Sequence, residues 1–384
     1  MSELSPIRTL QIGKSWLPEQ SGSGLDRMFY GLVHSLPAQA VSVKGLVAGS
    51  ASVLRDSEGA VTSFASDKAS LLSRWLGARS HVRAELTDNP PNLAAIHFAV
   101  YAFPAIGYLR QLPRVVHFHG PWALESQVEG KSRVNVAFKK YVETAVYSGA
   151  DRFIVLSRAF ADVLREHYDV PDESIRVVPG GVDTQRFSTS ISKTEARTHL
   201  GWPTDRPIVL SVRRLARRMG LENLVDAASQ VSRTHPEVLF LLAGKGPIEH
   251  ELRQRVEAAG LADNVRLLGF VADDDLPMAY RAATLTVAPT VSLEGFGLVT
   301  IESLASGTPV LVTPVGGLPE VVTDLSENLV TAGPESSDLA DGIRSILSGG
   351  RQVPDDARCR AYAVNRFDWN SVAAMTRSVY EEVL

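Results

Sequence analysis

Two carboxylates flank a glycine turn in SLEGFGLVTIES: Glu294 precedes Gly295-Phe296-Gly297, and Glu302 follows inside an apolar run. The glycines free the backbone, so that amides near Leu298 and Val299, at the start of a helix, can meet a phosphate or a sugar hydroxyl. Glu302 then stands about one turn into that helix. It is too far along to cap it, yet it can accept two hydrogen bonds from a vicinal diol such as that of ribose. Glu294, in the loop, would reach hydroxyls on the other side of the phosphates. Upstream, SVRRLARRMG places Arg213, Arg214, Arg217 and Arg218 before Gly220. Guanidinium forks at a strand-to-helix loop suit a diphosphate, with a solvated charged face as the plainer alternative. In HFHGPW, Gly120-Pro121 breaks the strand and leaves His119 at its edge. Gly22 and Gly24, just before an apolar helix, form a third point where amides can approach an anion. That loop lacks the third glycine and the acidic partner of a dinucleotide fingerprint, so NAD has little support.

These groups must be positioned by strand ends. Six β-type runs occur in the first half, at 8–13, 41–47, 94–98, 114–118, 152–157 and 175–178. Six more follow, at 208–212, 238–244, 265–269, 285–289, 310–313 and 328–331. Helical stretches lie between them, a pattern that predicts parallel sheets covered on both faces and hence two Rossmann-like domains. The Gly, Ser and Thr accumulating over 179–194 place the boundary there, giving domains at 1–185 and 186–367. Residues 368–384 form an amphipathic helix, with Trp369, Val372, Met375, Val379 and Val383 on one face, that can pack back on the first domain.

The totals agree with an ordinary two-domain protein: 384 residues, 45% hydrophobic and 21% charged. A net charge of -4 gives no general attraction to nucleic acid. The single cysteine, Cys359, excludes an internal disulfide and a multi-cysteine zinc site, and suits a reducing cytoplasm. The N-terminal residues do not read as a signal peptide, and the most apolar window, 94–109, is too short to span a bilayer. Residues 56–86 carry Lys68, Arg74, Arg79 and Arg83 beside Leu71, Leu72 and Trp75. Such a basic amphipathic stretch suits anionic lipid at the inner membrane face or a lipid-linked saccharide; an ordinary surface helix is the alternative.

The element EGFGLVTIE, together with the Gly22/Gly24 loop, HFHGPW, VVPGGVDTQRF, SVRRLARRMG, LLAGKGP, VRLLGFV and TPVGGLPEVV, resembles glycosyltransferase family 4, of the bacterial polysaccharide and glycolipid type. The resemblance implies the GT-B fold, two Rossmann-like domains facing across a cleft. It also implies retaining transfer of a hexosyl group from a UDP- or GDP-sugar to an acceptor hydroxyl, with no metal ion and no further cofactor. The acceptor would be a saccharide or a lipid-linked one, held by the N-terminal domain. Glu302 would hold the ribose and Glu294 the donor sugar. The backbone of Phe296, Gly297, Leu298 and Val299 would meet sugar and diphosphate, Gly22 and Gly24 would lie by the diphosphate, and Phe270 and Val271 would flank the base. His119 would sit near the reacting carbon and Arg214 would neutralise the departing diphosphate. The family's lysine position holds Met219 here, and Arg218 is the expected substitute. A sugar-nucleotide epimerase or phosphorylase-like enzyme would share this architecture, as would a non-catalytic module that senses a nucleotide sugar.

Overall fold

Apolar runs that alternate with helices leave the inner strands buried on both sides, and they collect into two sheets. The computed structural model describes residues 5–17, 23–188 and 190–384. One unit extends to Gly181 and takes up Trp369–Leu384 at its end; the other is Val182–Asp368.

The first unit holds β1 (Ile7–Ile12), β2 (Val41–Ala48), β3 (Val61–Ala65), β4 (Leu93–Ile96), β5 (Arg114–Phe118), β6 (Arg152–Val155) and β7 (Ile175–Val177). They are parallel, in the order β3-β2-β1-β4-β5-β6-β7. Six strands were expected here. The seventh is β3, VTSFA, an edge strand whose half-exposed residues give no apolar run. Alternate residues of β4 serve opposite cores: Ala94 and Ile96 join Leu10, Val116 and Phe153 on one face, while Leu93 and Ala95 join Val115, Ile154 and Val372 on the other. Each large apolar side chain so buried contributes about 1.5–3 kcal/mol relative to exposure.

The helix Trp369–Glu381 covers that second face with Val372, Ala373, Val379 and Tyr380, whereas Met375 lies off the buried stripe. Gly31 and Gly181 make room for it, since a Cβ on either would fall within 2.5 Å of the Trp369 ring. Arg377 ties the helix down through hydrogen bonds to the carbonyls of Ser5 and Gln39, at 2.8 and 2.6 Å.

The second unit holds β8 (Ile208–Val212), β9 (Leu239–Ala243), β10 (Val265–Gly269), β11 (Leu285–Ala288) and β12 (Val310–Val312), parallel in the order β10-β9-β8-β11-β12. The sixth strand expected at 328–331 is not one. Glu327–Leu329 is a 3-10 turn, and Val330 makes a single bridge to Val312. Cys359 is buried in this unit, and burial pushes its thiol up to about 12, so it is no nucleophile. Among the described residues no helix is long and apolar enough to cross a membrane.

Candidate active site

Open α/β sheets bind ligands outside the carboxyl ends of their strands, where the strand order reverses. In the second unit that point lies between β8 and β11. β8 runs into Arg213, and β11 leads to Thr290 and Glu294. The buried Arg213 guanidinium bonds both Thr290 Oγ1 and the Glu294 carboxylate through Nη2. Burial alone would raise the Glu294 carboxyl, but the Arg213 charge and hydrogen bond, helped by Arg218 and the Phe296 amide, outweigh it and hold the group below the usual range.

The loop carrying Glu294 is braced from both sides. Arg218 Nη1 donates to the Leu293 carbonyl at 2.9 Å, and the Val291 N–H donates back to the Arg218 carbonyl at 3.0 Å. Opposite, the Gly317 N–H donates to the Glu294 carbonyl at 2.9 Å. Gly316 stands so close, at φ 57°, that a Cβ would lie 2.0 Å from that carbonyl oxygen. These contacts keep Leu293 at φ 51°, a conformation that disfavours a branched side chain by about 1–2 kcal/mol.

The helix Leu298–Ala305 follows Gly297, at φ 76°, and no side chain caps its first turn. Phe296 is buried against Phe367, at 5.8 Å between ring centroids, so it offers a ligand only its backbone. Glu302 is buried, and Tyr280 donates its phenol hydrogen to Glu302 Oε2 at 2.9 Å. A carboxylate offers about four acceptor positions, so it can hold a protein donor and a diol together. Phe270, 51% exposed, and Val271 follow β10, with Lys245 Nζ 5.9 Å from the Phe270 ring centroid. Arg214 is exposed. Arg217 pairs at the surface with Glu222 and Glu251, at 3.2 and 2.6 Å. Met219 is buried beneath the turn Arg217–Met219.

In the first unit the order reverses at β1, between β2 and β4. Gly24 opens the helix Gly24–Ser35, while Gly22 lies outside the described residues. Asp26 clamps this loop: its carboxylate accepts from Ser15 Oγ at 2.7 Å and from the Ser23 amide at 2.9 Å. His97 comes directly after β4, His117 is within β5, and His119 comes directly after β5. The Gly120-Pro121 segment after His119 is held by Glu143, which accepts from the amides of Trp122 and Ala123 at 2.8 and 3.2 Å and from the Tyr168 hydroxyl at 2.7 Å.

Burial raises the Glu143 carboxyl to about 7, against the three hydrogen bonds that lower it. A carboxyl raised in the folded state contributes stability that is full below its ordinary value of 4.5 and is lost as pH rises through about 7. Urea midpoints of the first unit should therefore fall across that window, and Glu143→Gln should remove this part of the fall. Superimposable pH profiles for the two proteins would exclude Glu143 as its source.

Residues 192–366 match Glycosyl transferases group 1, and residues 22–186 match Glycosyltransferase Family 4. A D-inositol 3-phosphate glycosyltransferase from Corynebacterium kroppenstedtii is 31% identical over 75% of this chain and 67% of its own length. The chain belongs to glycosyltransferase family 4. Four further D-inositol 3-phosphate glycosyltransferases are matched over 55 to 60% of their length. Among solved structures, sucrose-phosphate synthase from Thermosynechococcus elongatus superimposes with a TM-score of 0.80 at 23% identity, over 98% of each chain. Anabaena HepE, in complex with UDP and glucose, gives 0.75 at 23% identity, over 98% of this chain and 100% of that one. Both show the same α/β fold with two parallel sheets.

Several residues of this family 4 chain escape sequence reasoning. Arg213 as the partner of Glu294, Tyr280 on Glu302, Asp26 on the N-terminal loop and Glu143 behind Gly120-Pro121 all meet their partners only through the fold. Thr9 and Gln11 carry the one available signal, because polar residues interrupt a strand that should read as continuously apolar. The basic stretch forms a helix with some of its arginines engaged by the first unit. On the helix Leu71–Asp88, Leu72 and Leu76 are exposed, but Arg74 donates to the Tyr101 hydroxyl at 2.7 Å and Arg79 to the Pro104 carbonyl at 2.8 Å.

Proposed function

We propose that this family 4 enzyme transfers a hexosyl group, with retention, from a nucleoside diphosphate sugar to an acceptor hydroxyl. The observation that carries this reading is the pairing, at one switch point, of an ionised and braced Glu294 with a buried Glu302 one helix turn beyond an uncapped glycine N-terminus. Glu302 takes the ribose diol, and Phe270 with Val271 the base. The first-turn amides of Leu298 and Val299 take the diphosphate. As the bond from the anomeric carbon to the diphosphate oxygen breaks, negative charge grows on the leaving group. Exposed Arg214 and the fixed amides stabilise it at no reorganisation cost. Arg218 serves as a second charge near that group while bracing the Leu293 carbonyl. The first unit is the acceptor domain.

A uridine donor is favoured over guanosine because Anabaena HepE, a structural neighbour, is solved in complex with UDP and with UDP-glucose. The relatives' names, an inositol phosphate and a sucrose phosphate enzyme, favour a phosphorylated polyol or hexose as acceptor; a lipid-linked saccharide is the competing class. The test is a thermal-shift panel of UDP, GDP, ADP and their sugar conjugates with NAD as control, since ligand at 100 times its Kd stabilises by about 2.7 kcal/mol. We expect stabilisation by one nucleotide class, then a glycoside with the donor's anomeric configuration by NMR. Stabilisation by NAD alone would overturn the reading. Epimerised donor without acceptor would replace it with the epimerase.

A further inference from the structure

Three imidazoles gather at the strand ends of the first unit. The rings of His97 and His117 stack at 4.1 Å between centroids and 18° between planes. His97 Nδ1 meets His119 Nε2 at 3.1 Å, with the two rings 16° from parallel. One nitrogen from each ring lies within 4.8 Å of the others. A metal centre does not follow, because stacked parallel rings cannot both aim an in-plane lone pair at one ion, and 3.1 Å is a hydrogen-bond length.

The direction of every bond in this array can be worked out from its far end. Thr9 Oγ1 donates its only hydrogen to the Ser42 carbonyl at 3.0 Å. Toward Gln11 it can therefore only accept, so the Gln11 group 3.2 Å away is the Nε2 donor. Gln11 Oε1 is left facing His97 Nε2 at 3.1 Å, and that nitrogen must carry a hydrogen. Burial, with the neighbouring imidazoles, holds His97 well below the usual histidine range, so it is neutral and its Nδ1 is bare. His119 Nε2 must then be the donor of the 3.1 Å bond. Burial brings His119 down to about 4, so this ring is neutral too. Its Nδ1 carries no hydrogen, and that atom is buried with no hydrogen-bond partner among the described residues.

We propose that Thr9, Gln11 and His97 are positioning residues that lock His119 in the Nε2–H form, so that Nδ1 serves only as a hydrogen-bond acceptor for a sugar hydroxyl. The sugar rests on the glycosyltransferase reading, whereas the locked tautomer does not. His119 thereby selects a hydroxyl and rejects an anionic oxygen at that nitrogen.

The experiment is a long-range 1H–15N spectrum of the 15N-histidine-labelled full chain at pH 7, without ligand. His119 should show a protonated Nε2 and a bare Nδ1. Gln11→Leu removes the acceptor that orients His97, and His119 should then show a mixture of both forms. Thr9→Val, which removes the acceptor that orients the Gln11 amide, should likewise give a mixture. A protonated Nδ1 on wild-type His119, or an unchanged His119 signal in Gln11→Leu, overturns the proposal. A locked tautomer in a protein that transfers no sugar would leave the lock standing and remove the functional reading.

Discussion

Arg213→Met should destabilise the second unit by about 3–5 kcal/mol, the usual cost of leaving one member of a buried ion pair without its partner. Arg213 and Glu294 are both buried, and Arg213 also holds Thr290. Without the guanidinium, Glu294 would have to ionise in a site that burial makes hostile or take up a proton. The double variant Arg213→Met/Glu294→Gln removes the orphaned charge and should recover most of the loss. The sign of the pH dependence follows from the lowered carboxyl. In the wild type, the contribution of Glu294 is complete above the ordinary carboxylate range and disappears only as pH falls through its depressed folded value. The penalty in Arg213→Met should accordingly shrink as acid protonates the orphaned group. Urea unfolding of the second unit at pH 7 and pH 5 reads all three proteins. Wild-type stability in Arg213→Met at pH 7 would mean that the backbone braces alone hold the loop.

Glu302→Ala should weaken donor binding by about 1.5–3 kcal/mol, the range for hydrogen bonds to a charged group, or about 10- to 150-fold. Because the ribose is common to nucleotide and conjugate, UDP and a UDP-hexose should lose equally. Glu294→Gln should spare UDP and penalise only the conjugate. Titration calorimetry with 2′-deoxy-UDP closes the cycle: the wild type, still holding the remaining hydroxyl, should lose only part of what Glu302→Ala loses with UDP, and the variant should be indifferent to the missing hydroxyl. Undiminished UDP affinity in a folded Glu302→Ala protein would remove the ribose assignment. Tyr280→Phe, which leaves the carboxylate but not its orienting hydrogen bond, should cost less than Glu302→Ala.

The parts of this protein that were legible in the sequence share a physical cause. β8, β9 and β11 match their predicted runs to within a residue because an inner strand of a parallel sheet, buried on both faces, must be largely apolar. β3 lies at a sheet edge, where that demand relaxes, and 328–331 has the right composition but spends its first residues in a turn. Among the candidate residues, Glu294 and His119 stood out because glycine or proline beside them marks a loop at a strand end, and Glu302 because it is a carboxylate inside an apolar run. Arg213 looked like one of four cations placed for a diphosphate. Its partner is 81 residues away, and Gln11 is 86 from His97; only the sheet order makes such pairs neighbours.

The first unit closes only with the last residues of the chain, Trp369–Leu384, and Tyr380 among them supplies the hydroxyl 2.8 Å from His117 Nε2. On the ribosome, the whole second unit has emerged before that helix does. Domains generally fold as units during synthesis, so the second can be finished while the first still exposes the sheet face that Val372, Val379 and Tyr380 will cover. A nascent chain therefore carries its second unit ready-made and its histidine array incomplete. Docking of Trp369–Leu384, rather than completion of either sheet, is the step that finishes the array.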